Sequence, residues 1–316
     1  MTSNTAALGL VTFDRRIATA FCERSVSEAT RRNYRQIISE FADFIQGIHP
    51  AQVQPDDIRR WRDQLITAGK RPATVTLKLS VVRSFFEYLK AARIVELNPA
   101  STKLVPSPAL PEDGKGRAFS PKEVRYLLAG PNQNTPEGAR DFAIILMLWR
   151  LSLRVAEVCS LKTSSVYWSG KRWALLVTVK GGRERVIPIP NDVKAAIDHY
   201  LKLDEERRNL PTVKSGGPDA HLFQPIRNHR TLEYNKPLTT RMARYIVERW
   251  AEYAGLGHAS PHDARRTFVT QALDQGRTYA EIQAAGGWRD PKTVMRYDRS
   301  KQNLDRNAIN FVTYEQ

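Results

Sequence analysis

ASTKLVPSPALPEDGKGR, residues 100–117, is the stretch on which the architecture turns. Apolar residues lose any period here, and Pro106, Pro108, Pro111, Gly114 and Gly116 interrupt every regular pattern. Such composition reads as a linker between domains, and a chain of 316 residues has room for two. The expected division is a first domain over 1–99, a linker over 100–117 and a second domain over 118–316. Towards the N-terminus the sequence reads as helices. A short helix is expected from Phe13 to Cys22. Ser25-Val26-Ser27-Glu28 has the spacing of a capping box. After it Tyr34, Ile37, Ile38, Phe41 and Phe44 recur at helical intervals. Ile58, Trp61 and Leu65 form another stripe, stopped near Gly69. Val75, Leu79, Val82, Phe86 and Leu89 form a third, ending before Asn98-Pro99. These make a bundle of four helices. Its polar faces carry Arg31, Arg32, Arg35, Lys78 and Arg83. Such cations either solvate a helix face or contact phosphates, and the net charge favours phosphates for some of them.

On the other side of the linker, Ser120-Pro121-Lys122-Glu123 places a cap, a first-turn proline and a returning carboxylate in order. A long apolar helical region is expected from Arg140 to Leu161. Trp173 to Val179 reads as a strand, Gly181-Gly182 as a turn and Arg185 to Ile189 as the returning strand. Helical patterns resume over Asp192–Leu203, Thr240–Ala254, Pro261–Leu273, Tyr279–Ala285 and Pro291–Tyr297. The expected fold is mainly α, with one small antiparallel sheet in an α+β second domain.

Forty-nine Lys and Arg against thirty-three Asp and Glu give a net charge of +16, which points to a polyanion as partner. Cys22 and Cys159 are too few to suggest a disulfide framework or a four-ligand zinc site. Residues 1–10 lack a basic region followed by an apolar run, so no signal peptide is expected. The apolar run Phe142–Trp149 is too short to span a bilayer. These features lead to the expectation of a soluble cytoplasmic protein that does not bind membranes. No acidic cluster suited to two-metal chemistry stands out.

Four segments carry candidate chemistry. In Leu151-Ser152-Leu153-Arg154-Val155-Ala156-Glu157 an arginine sits among apolar residues, with Glu157 three positions on. It is either half of a buried ion pair or an anion-binding group steadied by Glu157, and Arg150 competes for either role. Lys180-Gly181-Gly182-Arg183-Glu184-Arg185 gathers three cations at a hairpin tip, either an exposed basic turn or a lysine reaching into a groove with Arg183 and Arg185 beside it. Ser260-Pro261-His262-Asp263-Ala264-Arg265 starts a helix with His262 and Arg265 on one face. That is either a cap with a solvated arginine or an anion site at a helix N-terminus. Finally, Gly286-Gly287-Trp288 precedes Tyr297 by nine residues. Taken singly, Trp288 and Tyr297 would be packing residues.

Taken in order, these segments resemble the tyrosine recombinase, or phage integrase, family. Leu153–Glu157 looks like its first arginine motif and Lys180–Ile189 like its lysine hairpin. Pro261–Arg265 resembles its histidine–arginine box, and Gly287-Trp288 with Tyr297 resembles its end. There are two departures. Ser152 stands where the family usually has glycine, and Trp288 stands where histidine is commoner. An indole N–H donates a hydrogen bond but exchanges no proton.

The resemblance implies an N-terminal SAM-like core-binding bundle and a C-terminal catalytic domain that close around double-stranded DNA. It implies a 3′-phosphotyrosyl intermediate on Tyr297, with Arg154, Lys180, His262, Arg265 and Trp288 acting on the phosphate and Glu157 supporting. It implies a homotetramer on two DNA sites, with an accessory DNA-bending protein as a further partner. No cofactor and no metal are expected, and the location would be the nucleoid. A tail with Leu304, Ile309 and Phe311 would dock either on a neighbouring subunit or on its own domain. The rival readings are a type IB topoisomerase, a catalytically silent DNA-binding protein and a metal-dependent nuclease.

Overall fold

Phe41 lies at the centre of the first helical unit. It is fully buried on α2 (Glu28–Ile45) and meets Trp61 of α3 (Pro55–Thr67) and Phe86 of α4 (Pro72–Ala91) edge to face, at 5.0 and 6.2 Å between ring centres. Every apolar residue expected in the α4 stripe is buried. α1 (Arg15–Glu23) adds Phe21, stacked on Tyr34. The periodic stripes therefore converge on one core, as the 3.6-residue repeat demands. The computed structural model describes residues 15–46, 48–109, 116–179, 182–208, 219–226, 236–288 and 290–295. The chain divides into two units, Met1–Gly114 and Lys115–Gln316.

Part of the stretch read as linker is built into the first unit. Ala100 and Val105 are buried in its core. Arg83, expected at a phosphate, donates instead to the carbonyls of Ala100 and Val105 and to the Ser107 hydroxyl. Lys78 is likewise turned inward, buried and paired with Glu40, and desolvation lowers its pKa. Arg31 and Arg35 are both paired with Glu23 and Glu28, whereas Arg32 is exposed. The capping box read at Ser25 does not form. Ser27 is the N-cap, its side chain makes no capping bond, and the Ser25 carbonyl accepts from Arg31.

The second unit starts with α5 (Pro121–Ala129), where the Ser120–Glu123 box does form. α6 (Pro136–Leu151) is the buried centre of this unit, apolar on nearly every side from Ala143 to Leu151. The single helical region expected over Arg140–Leu161 is in fact two helices. Ser152 adopts the left-handed conformation (φ 51°, ψ 37°), which stops α6 and turns the chain into α7 (Val155–Ser160). Three antiparallel strands follow in sequence order: β1 (Val166–Trp168), β2 (Trp173–Val179) and β3 (Arg183–Pro188). β1 has no counterpart in the sequence reading. In the β2–β3 register Leu175 faces Ile187 and Val177 faces Arg185. α8 (Asn191–Arg208), α9 (Thr240–Tyr253), α10 (Pro261–Asp274), α11 (Tyr279–Gly286) and α12 (Pro291–Met295) complete the described α-helices. Cys22 and Cys159 are buried free thiols, one in each unit, and burial pushes the Cys159 thiol up to about 11. Among the described residues no helix is long and apolar enough to cross a membrane.

Ser152 has a measurable consequence. A non-glycine residue in this conformation costs about 1–2 kcal/mol. Its buried hydroxyl also finds no hydrogen-bond partner among the described residues, a further cost of about 1–3 kcal/mol. Glycine's greater freedom in the unfolded chain returns about 0.4–1 kcal/mol of that. Ser152→Gly is therefore expected to stabilise the protein by at least about 1 kcal/mol and raise the melting midpoint by at least about 2–4 °C. A lower midpoint in thermal denaturation would show that the hydroxyl is worth more than the strain.

Candidate active site

The break after α6 places Arg154 at the N-cap of α7, immediately after two fully buried residues. Its backbone N–H donates to Glu157 Oε2 at 2.9 Å and its Nη1 to Glu157 Oε1 at 2.7 Å. Glu157 is buried, but the Arg154 side chain keeps 40% of its surface. The pair is thus anchored at the carboxylate and open at the guanidinium. Arg150, the rival, points elsewhere and pairs with Asp192 at 3.0 Å.

Arg265 is buried on the first turns of α10. Nη1 donates to the carbonyl of Ser152, and Nη2 donates to the carbonyl of Gly286 at 3.0 Å. The guanidinium lies under the Trp288 ring, 4.3 Å from its centre, within cation–π range. One side chain therefore ties the turn before Arg154 to the turn after α11. That second turn is tight. Gly287 is left-handed at φ 64°, and a Cβ on Gly286 would stand 1.7 Å from the Trp288 ring. The two glycines are what let an indole fold back over Arg265.

His262 is exposed at the start of α10, one turn before Arg265. It does not cap the helix. Asp263 does, accepting from the Ser260 N–H at 2.8 Å and its hydroxyl at 2.7 Å. Desolvation, and then the charge of Arg265, hold the His262 pKa below the usual histidine value. Arg244 and Arg154 push the same way, and only Asp263 opposes them. The charges of three arginines thus act in the same direction on one imidazole. Arg244, on α9, was not among the candidate residues, because nothing in its local sequence marks it. A neutral imidazole near pH 7 can accept a proton. By NMR titration His262 in the free protein is expected to titrate below about 6.5. As pH falls the unfolded chain takes up this proton before the folded one does. The contribution to stability is complete above the unfolded pKa and is lost as pH drops through the folded one. A His262 pKa above 6.5 would contradict this electrostatic picture.

Arg183 is exposed near the hairpin tip, whereas Arg185, expected at DNA, is turned into the protein. It donates to the Ala285 carbonyl and to Glu157 Oε2 at 3.3 Å. Lys180, Tyr297 and the tail residues Leu304, Ile309 and Phe311 lie outside the described residues. Among the described residues no group of three His, Cys, Asp or Glu side chains is placed to hold a metal ion.

Comparison with known proteins bears on the family and the fold of the chain. Residues 117–303 match the Phage integrase family, and residues 17–93 match the phage integrase N-terminal SAM-like domain. The tyrosine recombinase XerC of Thermodesulfovibrio yellowstonii is 30% identical over 281 residues, covering 87% of this chain and 87% of the relative. That of Roseiflexus castenholzii is 30% identical over 279 residues, covering 87% and 84%. Among solved structures, XerH site-specific recombinase bound to palindromic difH substrate in a post-cleavage complex superposes with a TM-score of 0.72. It is 16% identical and covers 95% of each chain. A lambda integrase (75–356) dimer bound to a COC′ core site gives 0.65 at 16% identity, covering 91% of this chain and 95% of that one. These structural likenesses bear on the fold, and the family match and the XerC relatives bear on descent. This chain belongs to the phage integrase family, the tyrosine recombinases that cut and rejoin DNA strands.

Proposed function

We propose that this chain is a site-specific DNA recombinase working through a 3′-phosphotyrosyl intermediate on Tyr297. The observation that carries the proposal is Arg265, which joins the Arg154 turn to the Gly286–Trp288 turn while its charge acts on His262. A phosphodiester is anionic and has a poor leaving group. Its cleavage needs neutralised oxygens, a positioned nucleophile and a proton for the departing oxygen. Arg154 and Arg265 are suited to the first need, being always charged and planar. The Tyr297 hydroxyl, with a free pKa near ~10, gives its proton to His262 and attacks phosphorus. The P–O5′ bond breaks, and Lys180 supplies the proton that leaves with the 5′-hydroxyl. Trp288 packs over Arg265 and offers its N–H to the phosphate. The bond energy is kept in the phosphotyrosine, so attack by a different 5′-hydroxyl reseals the strand without ATP. Exchange between two duplexes engages four copies of the chain on two DNA sites.

The test is a covalent trap. Purified protein is mixed with DNA fragments flanking its gene, nicked so that the cut 5′ end diffuses away. Adducts resistant to SDS are expected, formed equally in EDTA, with the modified peptide carrying Tyr297. Salt-sensitive binding without any adduct would make the protein a silent DNA binder. Adducts that vanish on chelation would require a metal-dependent route.

A further inference from the structure

We infer that Arg185 is a positioning residue of the active site, holding the Arg154 and Trp288 segments at a fixed spacing, and that it does not contact DNA. This rests on the recombinase reading above. Arg185 reaches from β3 to two other elements at once. One nitrogen donates to the Ala285 carbonyl at the end of α11, and the other meets Glu157 Oε2 at 3.3 Å on α7. The same carboxylate oxygen accepts the Arg154 N–H, and its companion holds the Arg154 guanidinium. Glu157 is therefore shared by two arginines, one open to solvent and one enclosed: the Arg185 side chain keeps only 13% of its surface.

A second contact fixes the other end. The Arg185 guanidinium stands 3.2 Å from where a Cβ on Gly287 would be. The turn carrying Trp288 is thus gripped from two sides. Arg265 takes the Gly286 carbonyl, and Arg185 takes the Ala285 carbonyl and packs on Gly287. In the β2–β3 register Arg185 faces Val177, two pairs from the Val179–Arg183 pair that ends the ladder beside the hairpin tip. The strand that returns from Lys180 is the one that locks the two turns. A lysine has one ammonium, and it cannot span Glu157 and Ala285 with a planar fork.

Two readings of this cation give opposite salt behaviour. A phosphate contact contributes about 0.9 to the slope of log affinity against log salt. A positioning residue contributes nothing to that slope but sets the geometry of the reacting groups, where a displacement of 1 Å costs about 100-fold in rate. Arg185→Gln and Arg185→Lys are measured beside the wild type on the nicked substrate, with DNA affinity followed over a salt series. The expected result is an unchanged salt slope and DNA affinity within about threefold. Single-turnover adduct formation at saturating protein should fall about 100-fold in both variants. Gly287→Ala, which crowds the same guanidinium, should show the same split between binding and rate. A slope lower by about one in Arg185→Gln, restored in Arg185→Lys, would establish a DNA contact and overturn the inference. So would full cleavage by Arg185→Lys. Matched melting midpoints across the variants separate positioning from unfolding. An absence of adduct in the wild type would instead be the failure of the recombinase reading itself.

Discussion

Tyr297→Phe is expected to abolish the SDS-resistant adduct, with cleavage reduced at least ~10⁴-fold, while DNA affinity stays within twofold of wild type. The change removes one oxygen and keeps the ring. No hydroxyl then remains at position 297 to form the ester with phosphorus. The arginines proposed to neutralise the phosphate are untouched, so binding and its salt dependence are expected to persist. The contrast between lost chemistry and kept affinity is what distinguishes a nucleophile from a packing residue, since a packing tyrosine replaced by phenylalanine would leave cleavage intact. The chain has eleven tyrosines. Adducts that survive Tyr297→Phe would place the nucleophile on one of the other ten.

The largest effect on stability is expected at Asp141, which is fully buried on α6. Its Oδ1 accepts two bonds from Arg140, at 3.0 and 2.7 Å. Its Oδ2 accepts Arg249 Nη2 at 2.7 Å and the Trp250 indole N–H at 2.9 Å. One carboxylate thus binds two guanidinium groups and fastens α9 to α6. Arg249 is part-exposed and also pairs with Glu137, so it retains a partner when Asp141 is lost. The Arg140 side chain, only 6% exposed, loses the bonds that offset its burial. Removing one member of a buried ion pair costs about 3–5 kcal/mol, a large share of the roughly 5–15 kcal/mol available to a domain. Asp141→Ala is expected to lower the melting midpoint by about 10 °C. Asp141→Asn, which keeps an acceptor for the indole, should lose less. A midpoint for Asp141→Ala within 2 °C of wild type would mean that the network is hydrated and carries no net stability.

The helical stripes were legible because burial repeats every three to four residues, and Val75, Leu79, Val82, Phe86 and Leu89 are all enclosed where that rule puts them. The break in the long helical region was not, because it depends on a serine in a conformation that serine rarely adopts. β1 has three residues, too few to show any alternation. Charge gave no hint that Lys78, Arg83 and Arg185 turn inward to partners within the chain, since a positive side chain in sequence does not declare which way it points. For Arg185 a signal was present. Arg185, Ile187 and Ile189 alternate along the returning strand, and period two puts the arginine on the face of the buried isoleucines. For Arg83 no such signal exists, because its partners, Ala100, Val105 and Ser107, belong to a stretch whose composition reads as linker. The family was readable from a set of residue types in order. What could not be read was that Arg265 and Arg185 would hold the turns of the candidate site together through backbone carbonyls, which have no side-chain signature.

The two enclosed thiols have a consequence for labelling. Cys22 and Cys159 are the chain's only cysteines, and burial raises both, so little of either is thiolate at neutral pH. Maleimides should therefore pass the native protein by, and a cysteine introduced at exposed Arg183 would become its one fast-reacting thiol. A fluorophore attached there would sit beside the hairpin tip without any background cysteine having to be removed.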